Sequence, residues 1–184
     1  MKQEILLSRL LDKYEKSKHL LQPGTSSRRV MLRIEKHEFP EYQYENSQIR
    51  DAWNDAVKGL EAQGLISVQW VAGRPVIDSV ALDLEHIREC YRLAGRVHPG
   101  DLAESVVQAV SRLDGVVTDW IAAWRDSVCI EAREAYRVPA YCKKDLSLLG
   151  KLITAFEVYD SLRGEGITMR AFSSRCYRDT KTFE

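Results

Sequence analysis

The sequence predicts a mainly α protein with a small β component, in which a winged-helix-like module is followed by a helical bundle or extension. Three observations predict this class. Apolar residues recur close to every 3.6 positions over most of the chain. A helical run that ends at Gly64 is followed at once by two short β-type runs joined by a turn sequence. From residue 101 onward the pattern is again helical, and 45% hydrophobic residues suffice for a core.

The pattern divides the chain into three parts. Residues 1–97 are predicted to form the winged-helix-like module with its N-terminal helix, residues 98–166 a helical region, and residues 167–184 a separate last segment. The boundary falls in the His98-Pro99-Gly100-Asp101 turn sequence. The last segment alternates apolar and polar residues and ends without a polar tail, as a piece of a longer protein would; a natural edge strand is the alternative.

The first elements follow from periodicity and turn residues. Apolar positions from Ile5 to Tyr14 predict a helix between Gln3 and Leu21, which the Pro-Gly-Thr-Ser-Ser sequence at 23–27 ends. The alternation from Arg29 to Glu35 predicts a short, half-buried strand. Together these elements supply the first helix and the third strand of a winged helix.

The best-defined helix covers residues 47–63. Asn46 or Ser47 is its predicted N-cap, and Gly64 its left-handed C-terminal cap. Residues 65–71 and 76–82 then read as two strands of a hairpin, because the Ala-Gly-Arg-Pro sequence at 72–75 supplies the turn. Another helix starts at Asp83-Leu84-Glu85, continues through Leu93 and closes near Gly95.

The second half is predicted to be helical at residues 102–113, 116–136 and 144–162. Trp120 and Trp124 fall at helical spacing and are expected to pack against other helices. The four cysteines lie far apart and are expected to be buried free thiols.

Several classes of protein do not fit the sequence. No apolar run approaches the length of a membrane span, and the first twenty residues are amphipathic and unlike a signal peptide, so we expect a cytoplasmic protein without a membrane partner. The chain contains no Gly-rich phosphate loop, no His-Glu-x-x-His and no Gly-x-Ser-x-Gly motif. We therefore nominate no catalytic residue, no metal ligand and no cofactor in this chain.

Positive charge is concentrated at the N-terminus. The net charge of the whole chain is zero, but residues 1–36 contain nine Lys or Arg against four Asp or Glu, and the remainder carries the opposite excess. This asymmetry permits an electrostatic surface for an acidic polymer. A solvated helix face explains the same lysines, and both interpretations stay open at this point.

The predicted DNA-binding residues lie on the polar face of the 47–63 helix and on the basic positions around it. A winged helix places one helix in the major groove and lets its wing touch the DNA backbone. Asp51, Asp55 and Glu61 share the helix and would repel phosphates, so we expect contacts with the backbone more than with bases. The candidates are Ser47, Gln48, Arg50, Asn54 and Lys58 on the helix, Arg74 in the wing, and Arg28 and Arg29 before the first strand. The alternative is a winged-helix module for protein contact or dimerisation, without direct contact with DNA.

Several short motifs resemble a known family. They are Leu10-Leu11-Asp12-Lys13-Tyr14-Glu15-Lys16-Ser17, Ser27-Arg28-Arg29-Val30, Leu60-Glu61-Ala62-Gln63-Gly64-Leu65-Ile66, Tyr91-Arg92-Leu93-Ala94-Gly95-Arg96, and the closing stretch from Phe172 to Glu184. The first four resemble the N-terminal part of the JetD-like nuclease subunits of Wadjet plasmid-defence systems and their bacterial relatives. The closing stretch is similar to the segment that leads into the Toprim domain of that family.

The resemblance implies a topoisomerase VI A-subunit-like protein in which a winged helix precedes a metal-binding Toprim domain that cleaves DNA. This chain would then be the non-catalytic, DNA-engaging front part, with the Toprim domain and its magnesium chemistry absent from it. The implied partners are double-stranded DNA, a second copy of the chain in a homodimer, and a condensin-like complex. No catalytic residue of the family can be carried over to a position in this sequence.

Overall fold

The computed structural model describes residues 1–35, 37–43, 45–143 and 145–180. It is mainly helical, with 55% helix and 8% strand, so the predicted fold class is confirmed. The chain divides into two compact units, residues 1–98 and residues 99–184. The boundary predicted from the sequence after residue 97 differs from this division by one residue.

The N-terminal unit consists of three helices and a three-stranded antiparallel sheet in its described residues. Its elements, in chain order, are α1 (Lys2–Glu15), β1 (Met31–Arg33), α2 (Ser47–Ala62), β2 (Ile66–Trp70), β3 (Ile77–Leu82) and α3 (Ile87–Leu93). The strand order is β1-β3-β2, with Leu32 and Val68 both opposite Val80. Helix, strand, helix and hairpin therefore follow the order expected of a winged-helix-like module. The described residues between β1 and α2 form turns, so in this part of the chain no separate helix precedes α2.

Helix α1 packs its apolar stripe into the core of this unit and ends earlier than predicted. Both the backbone N–H and the hydroxyl of Ser17 donate to the Tyr14 carbonyl, at 2.9 and 2.7 Å. These bonds occupy a carbonyl of the last helical turn as acceptor and tighten the chain there. The helix consequently stops at Glu15 instead of Leu21, and residues 16–25 form turns.

Helix α2 has the caps that the sequence predicts. The Asn46 side chain accepts a hydrogen bond from the backbone N–H of Ile49 at 3.2 Å, and Gly64 has a φ of +72°. Helix α3 begins later than predicted, because the Asp83 carboxylate first accepts from the backbone N–H of Glu85 at 2.8 Å and holds a turn there. The predicted elements of this unit are all present, with shorter bounds.

The core of the N-terminal unit lies between α1, α2, α3 and one face of the sheet. Its fully buried side chains come from every one of these elements, and burial of about 20 such apolar side chains is the main stabilising contribution. They include Leu6, Leu7, Leu10, Leu11, Leu32, Val57, Leu60, Val80, Cys90 and Tyr91.

The C-terminal unit is helical in its described residues. It contains α4 (Pro99–Val110), a 3-10 turn (Ser111–Leu113), α5 (Asp119–Ala135), a second 3-10 turn (Ala140–Lys143), α6 (Leu146–Ser161) and α7 (Met169–Tyr177). The predicted start of the 144–162 helix at Lys144 lies outside the described residues. The core of this unit contains Val106, Val110, Leu113, Ile121, Val128, Cys142, Leu149 and Ile153.

The alternative of an edge strand in the last segment is wrong for its described residues, which contain helix α7. Thr168 caps helix α7 by accepting from the backbone N–H of Ala171 at 3.2 Å. The partly or fully buried positions are Phe172, Ser173, Cys176 and Tyr177, which is a helical spacing that the alternation of the flanking residues conceals. Residues 181–184, which belong to the closing motif of the family resemblance, lie outside the described residues.

Cysteines and tryptophans behave largely as predicted. All four cysteines are free; Cys90 and Cys142 are buried, whereas Cys129 and Cys176 are half-buried. The ring of Trp124 packs edge-on against Phe156 with centroids 5.0 Å apart. No helix in the described part of the chain combines the length and the apolar character that a membrane span requires.

Candidate nucleic-acid interface

An open pocket in the N-terminal unit brings together several of its positive side chains. It has a volume of about 840 Å³ and lies where the C-terminal end of α1, the following turns and the entry to β1 meet. We call it the basic pocket. Its lining residues are Lys13, Lys16, Ser17, Lys18, His19, Ser26, Arg28, Arg29, Val30, Met31, Arg33 and Glu38. Six of these side chains are Lys or Arg, and one is a carboxylate, so the surface attracts anions.

The early end of α1 positions the lysines of the pocket. Lys13 lies in the last turn of the helix, and the turn made by Ser17 brings Lys16 and Lys18 into the lining. Had the helix continued to Leu21 as predicted, these side chains would have been spread over a helical surface at about 100° per residue. The turn instead concentrates them beside the entry to β1.

His19 fixes the second wall of the pocket. Its side chain is only 6% exposed, and its Nε2 donates a hydrogen bond to the Arg28 carbonyl over 2.6 Å. The backbone N–H of Arg28 in turn donates to the Ser26 hydroxyl at 3.2 Å. Val30, two residues further on, is buried in the core. The backbone that carries Arg28 and Arg29 is therefore held from both sides.

The pocket retains most of its charge because few of its cations are paired. Arg33 lies 3.6 Å from Glu35, and Lys13 donates to Glu38 at 2.8 Å. Within the described ranges, no carboxylate lies at ion-pair distance from Lys16, Lys18, Arg28 or Arg29. All four side chains are exposed. Four unpaired cations on one concave surface form a suitable site for phosphate groups.

The residues predicted on α2 are not part of this pocket. Ser47 and Gln48 are exposed at the start of the helix. The side chain of Arg50 is 22% exposed, and its Nε donates to Asp51 at 3.1 Å. Lys58 is exposed, and its ammonium group lies 5.8 Å from the centroid of the Trp70 ring, a cation–π contact.

Asn54 was predicted to lie on the polar, accessible face of the 47–63 helix, and the structure shows instead that it is buried. Its side chain is 4% exposed. Its Oδ1 accepts from the Tyr42 hydroxyl at 3.1 Å, and its Nδ2 donates to the Pro75 carbonyl at 2.9 Å. The amide therefore connects α2 to the segment before it and to the hairpin, and it is not accessible to a ligand. The prediction that Asn54 is exposed rested only on the polar character of its side chain.

Arg74 lies at the turn of the hairpin, as predicted. Gly73 has a φ of +70°, which the tight turn requires, and the backbone N–H of Arg74 donates to the Val71 carbonyl at 3.1 Å. The Arg74 side chain is exposed. Like the residues of α2, it is not among the lining residues of the basic pocket.

Of the predicted site residues, the basic pocket thus brings together Arg28 and Arg29. Lys13, Lys16, Lys18 and Arg33 also line it, although none of them was predicted as a site residue. One signal was present, namely the excess of positive charge over residues 1–36. Their grouping depends on where α1 ends, which the periodicity of the helix does not show.

Comparison of the chain with protein-family models, with curated proteins and with solved structures gives no match. Within the described ranges, no group of three or more His, Cys, Asp or Glu side chains is arranged to hold a metal ion. The geometry and the charge of the basic pocket therefore carry the functional inference.

Proposed function

We propose that this protein binds double-stranded DNA through its phosphate backbone, with the basic pocket as the main contact. The observation that carries the proposal is the group of four exposed, unpaired cations formed by Lys16, Lys18, Arg28 and Arg29. Phosphate contacts by Lys and Arg release counterions from DNA, and this release supplies most of the affinity in sequence-independent binding. Arg28 and Arg29 can each bind a phosphate through two N–H groups.

The burial of Asn54 favours binding that ignores sequence. Side chains that read bases need free donors and acceptors at an accessible helix face. The amide of Asn54 is buried and bonded at both its oxygen and its nitrogen, and Arg50 is engaged with Asp51. In a helix-turn-helix, a first helix crosses the DNA backbone and supports the recognition helix. The turns that precede α2 in the described residues offer no such support, so α2 is a secondary contact in this proposal.

The wider biological assignment rests on the sequence resemblance described above. In this proposal the chain is the non-catalytic N-terminal part of a topoisomerase VI A-like Toprim nuclease of a bacterial plasmid-defence system, acting in the cytoplasm. Magnesium would be held by the separate Toprim domain, and a condensin-like complex would be the protein partner. The charge of the basic pocket is in keeping with a DNA-engaging role in such a protein, and it does not distinguish this family from other DNA-binding proteins.

A salt series tests the proposed function. Fluorescence anisotropy would measure the affinity of the purified chain for a labelled random duplex, and for a second duplex of unrelated sequence as the control. If the four unpaired cations each meet one phosphate, the slope of log affinity against log salt is about −3.6, from about −0.9 per contact. Equal affinities for the two duplexes would support backbone binding. No binding at low salt, or an affinity independent of salt, would overturn the proposal.

A second candidate function is self-association through the C-terminal unit. Val117, Trp120 and Tyr159 have exposed fractions of 67%, 50% and 45%. The rings of Trp120 and Tyr159 lie 5.4 Å apart, so these two side chains form one exposed patch, of a kind that often marks a protein contact. Light scattering over a range of concentrations tests for a homodimer, and a mass that stays that of one chain throughout would exclude it.

A further inference from the structure

Glu38 is the one carboxylate among the described residues that line the basic pocket. It belongs to the segment between β1 and α2, and its side chain is 35% exposed. All other charged side chains of the lining are cations or His19. A single carboxylate in this position opposes the attraction of the surface for anions.

Two contacts with α1 hold Glu38 in the pocket. Lys13 Nζ donates to Glu38 Oε2 over 2.8 Å, and Arg9 donates to the Glu38 backbone carbonyl at 3.3 Å. The hydrogen bond from Lys13 lowers the pKa of the Glu38 carboxyl below its usual value. The group is therefore charged at neutral pH, and Lys13 has its positive charge neutralised by a neighbour from the same chain.

We propose that Glu38 is an internal competitor for phosphate: its carboxylate occupies Lys13 in the basic pocket and limits how tightly the pocket binds an anion. This inference rests on the proposed binding of DNA by the same pocket. A carboxylate and a phosphate use the same donors, since both accept charge-assisted hydrogen bonds from an ammonium group. A phosphate near Lys13 therefore has to displace Glu38 or tolerate its repulsion.

Such a competitor limits the affinity of the pocket for DNA. Each cation that contacts a phosphate makes the affinity larger and more dependent on salt. With Lys13 neutralised, the pocket offers one phosphate contact fewer than it would offer without Glu38. A protein that binds DNA without regard to sequence then releases it faster.

Glu41 provides a matched control. It lies three residues after Glu38 in the same segment and forms an ion pair with another basic side chain of α1, that of Arg9. The exposed fraction of its side chain, 34%, is nearly that of Glu38. Glu41 is not among the lining residues of the basic pocket. Replacing either residue by Gln removes one negative charge and one ion pair, but only Glu38→Gln removes them from the pocket.

The experiment measures duplex affinity by anisotropy for the wild type, Glu38→Gln, Glu41→Gln and the double variant Lys13→Gln/Glu38→Gln. We expect Glu38→Gln to bind about five-fold more tightly, which corresponds to roughly 1 kcal/mol of removed repulsion at about 4 Å in water. Its salt slope becomes steeper by about 0.9 because Lys13 is released for a phosphate. The double variant has the net charge of the wild type, and its affinity and slope return to the wild-type values.

The outcomes separate this inference from the proposed function. If the wild type binds DNA and Glu38→Gln gains no more affinity than Glu41→Gln does, Glu38 is not a competitor. The same follows if the gain in affinity persists in the double variant. Absence of DNA binding by the wild type overturns the proposed function. Binding by Glu38→Gln alone still supports the role of Glu38 as a competitor. Absence of binding by every variant overturns both. Circular dichroism confirms the fold of each protein. If Glu38→Gln is unfolded, Glu38→Ala replaces it, and the same gain is required.

Discussion

The basic pocket and the exposed face of α2 are two polar surfaces of the same unit, and they differ in how their charges are paired. The pocket has six Lys or Arg side chains against Glu38, and four of the six have no carboxylate at ion-pair distance among the described residues. Helix α2 has two cations against three acids, and one of these cations, Arg50, donates to its neighbour Asp51. Unpaired charge on a concave surface, more than a polar helix face, is therefore the feature that indicates phosphate binding here.

The two surfaces also differ in what supports them. The backbone of the pocket is held by the end of α1, by His19 and by the first residues of the sheet. The α2 face is tied into the fold by Asn54, whose amide joins the helix to the hairpin. In the pocket, buried polar contacts position the exposed cations, whereas on α2 the buried polar contact uses up the side chain that had been expected to bind.

The largest expected effect is the loss of the two arginines of the pocket. Arg28→Gln/Arg29→Gln removes two of the four unpaired cations. We expect duplex affinity at moderate salt to fall about 50-fold. The reason is that each phosphate contact contributes about 0.9 to the slope of log affinity against log salt, and two contacts are lost. Both side chains are exposed, so thermal unfolding should be unchanged. An affinity within twofold of the wild type would show that DNA does not bind at the pocket.

A smaller loss is expected when the support of the arginines is removed. His19→Ala deletes the hydrogen bond to the Arg28 carbonyl and loosens the backbone of Arg28 and Arg29. We expect duplex affinity to fall about tenfold, which matches a net hydrogen-bond contribution of about 1.5 kcal/mol. Anisotropy on folded protein, verified by circular dichroism, measures this loss. Because His19→Gln keeps an N–H donor, it should recover part of the affinity; no recovery would argue against a positioning role for the hydrogen bond.

A still smaller effect is expected from α2. Arg50→Gln/Lys58→Gln changes the net charge by the same amount as the double variant of the pocket, but it does so on the surface where acids outnumber bases. We expect the affinity for a random duplex to change by no more than about twofold, because few phosphate contacts are lost. A loss as large as that of the pocket variant would place the DNA on α2.

For Asn54, we expect no effect on DNA affinity and a clear effect on stability. Asn54→Ala leaves the Pro75 carbonyl without its donor and the Tyr42 hydroxyl without its acceptor in a buried setting. The free energy of unfolding should fall by about 2–3 kcal/mol, the cost of buried polar groups without partners. Urea unfolding measures this loss. An unchanged midpoint together with weaker DNA binding would restore Asn54 as a contact residue.

Much of the fold could be predicted from the sequence because strong local signals agreed with the tertiary structure. The Asn46 cap, Gly64 and the turn around Gly73 fixed α2 and the hairpin within a few residues. An edge strand was the alternative for the last segment because its residues alternate, whereas the Thr168 cap and the burial of Ser173 favour a helix. Apolar alternation over a short run is a weak signal when capping residues compete with it.

The candidate site could be predicted only in part. The exposure of Arg28 and Arg29 could be predicted from their position before a strand. The lysines of α1 and the turns after it were visible only as a charge excess, because their convergence depends on the hydrogen bonds of Ser17 and His19. The sequence also could not show that Asn54 is buried, since nothing local distinguishes an amide that faces solvent from one that meets a carbonyl 21 residues away.

The most direct test of phosphate binding in the basic pocket is the salt dependence of duplex affinity for the two charge-matched variants, Arg28→Gln/Arg29→Gln and Arg50→Gln/Lys58→Gln, beside the wild type. Loss of two phosphate contacts should make the slope of the pocket variant shallower by about 1.8. The slope of the α2 variant should equal that of the wild type. Equal slopes for all three proteins, or a shallower slope for the α2 variant alone, would contradict binding at the pocket.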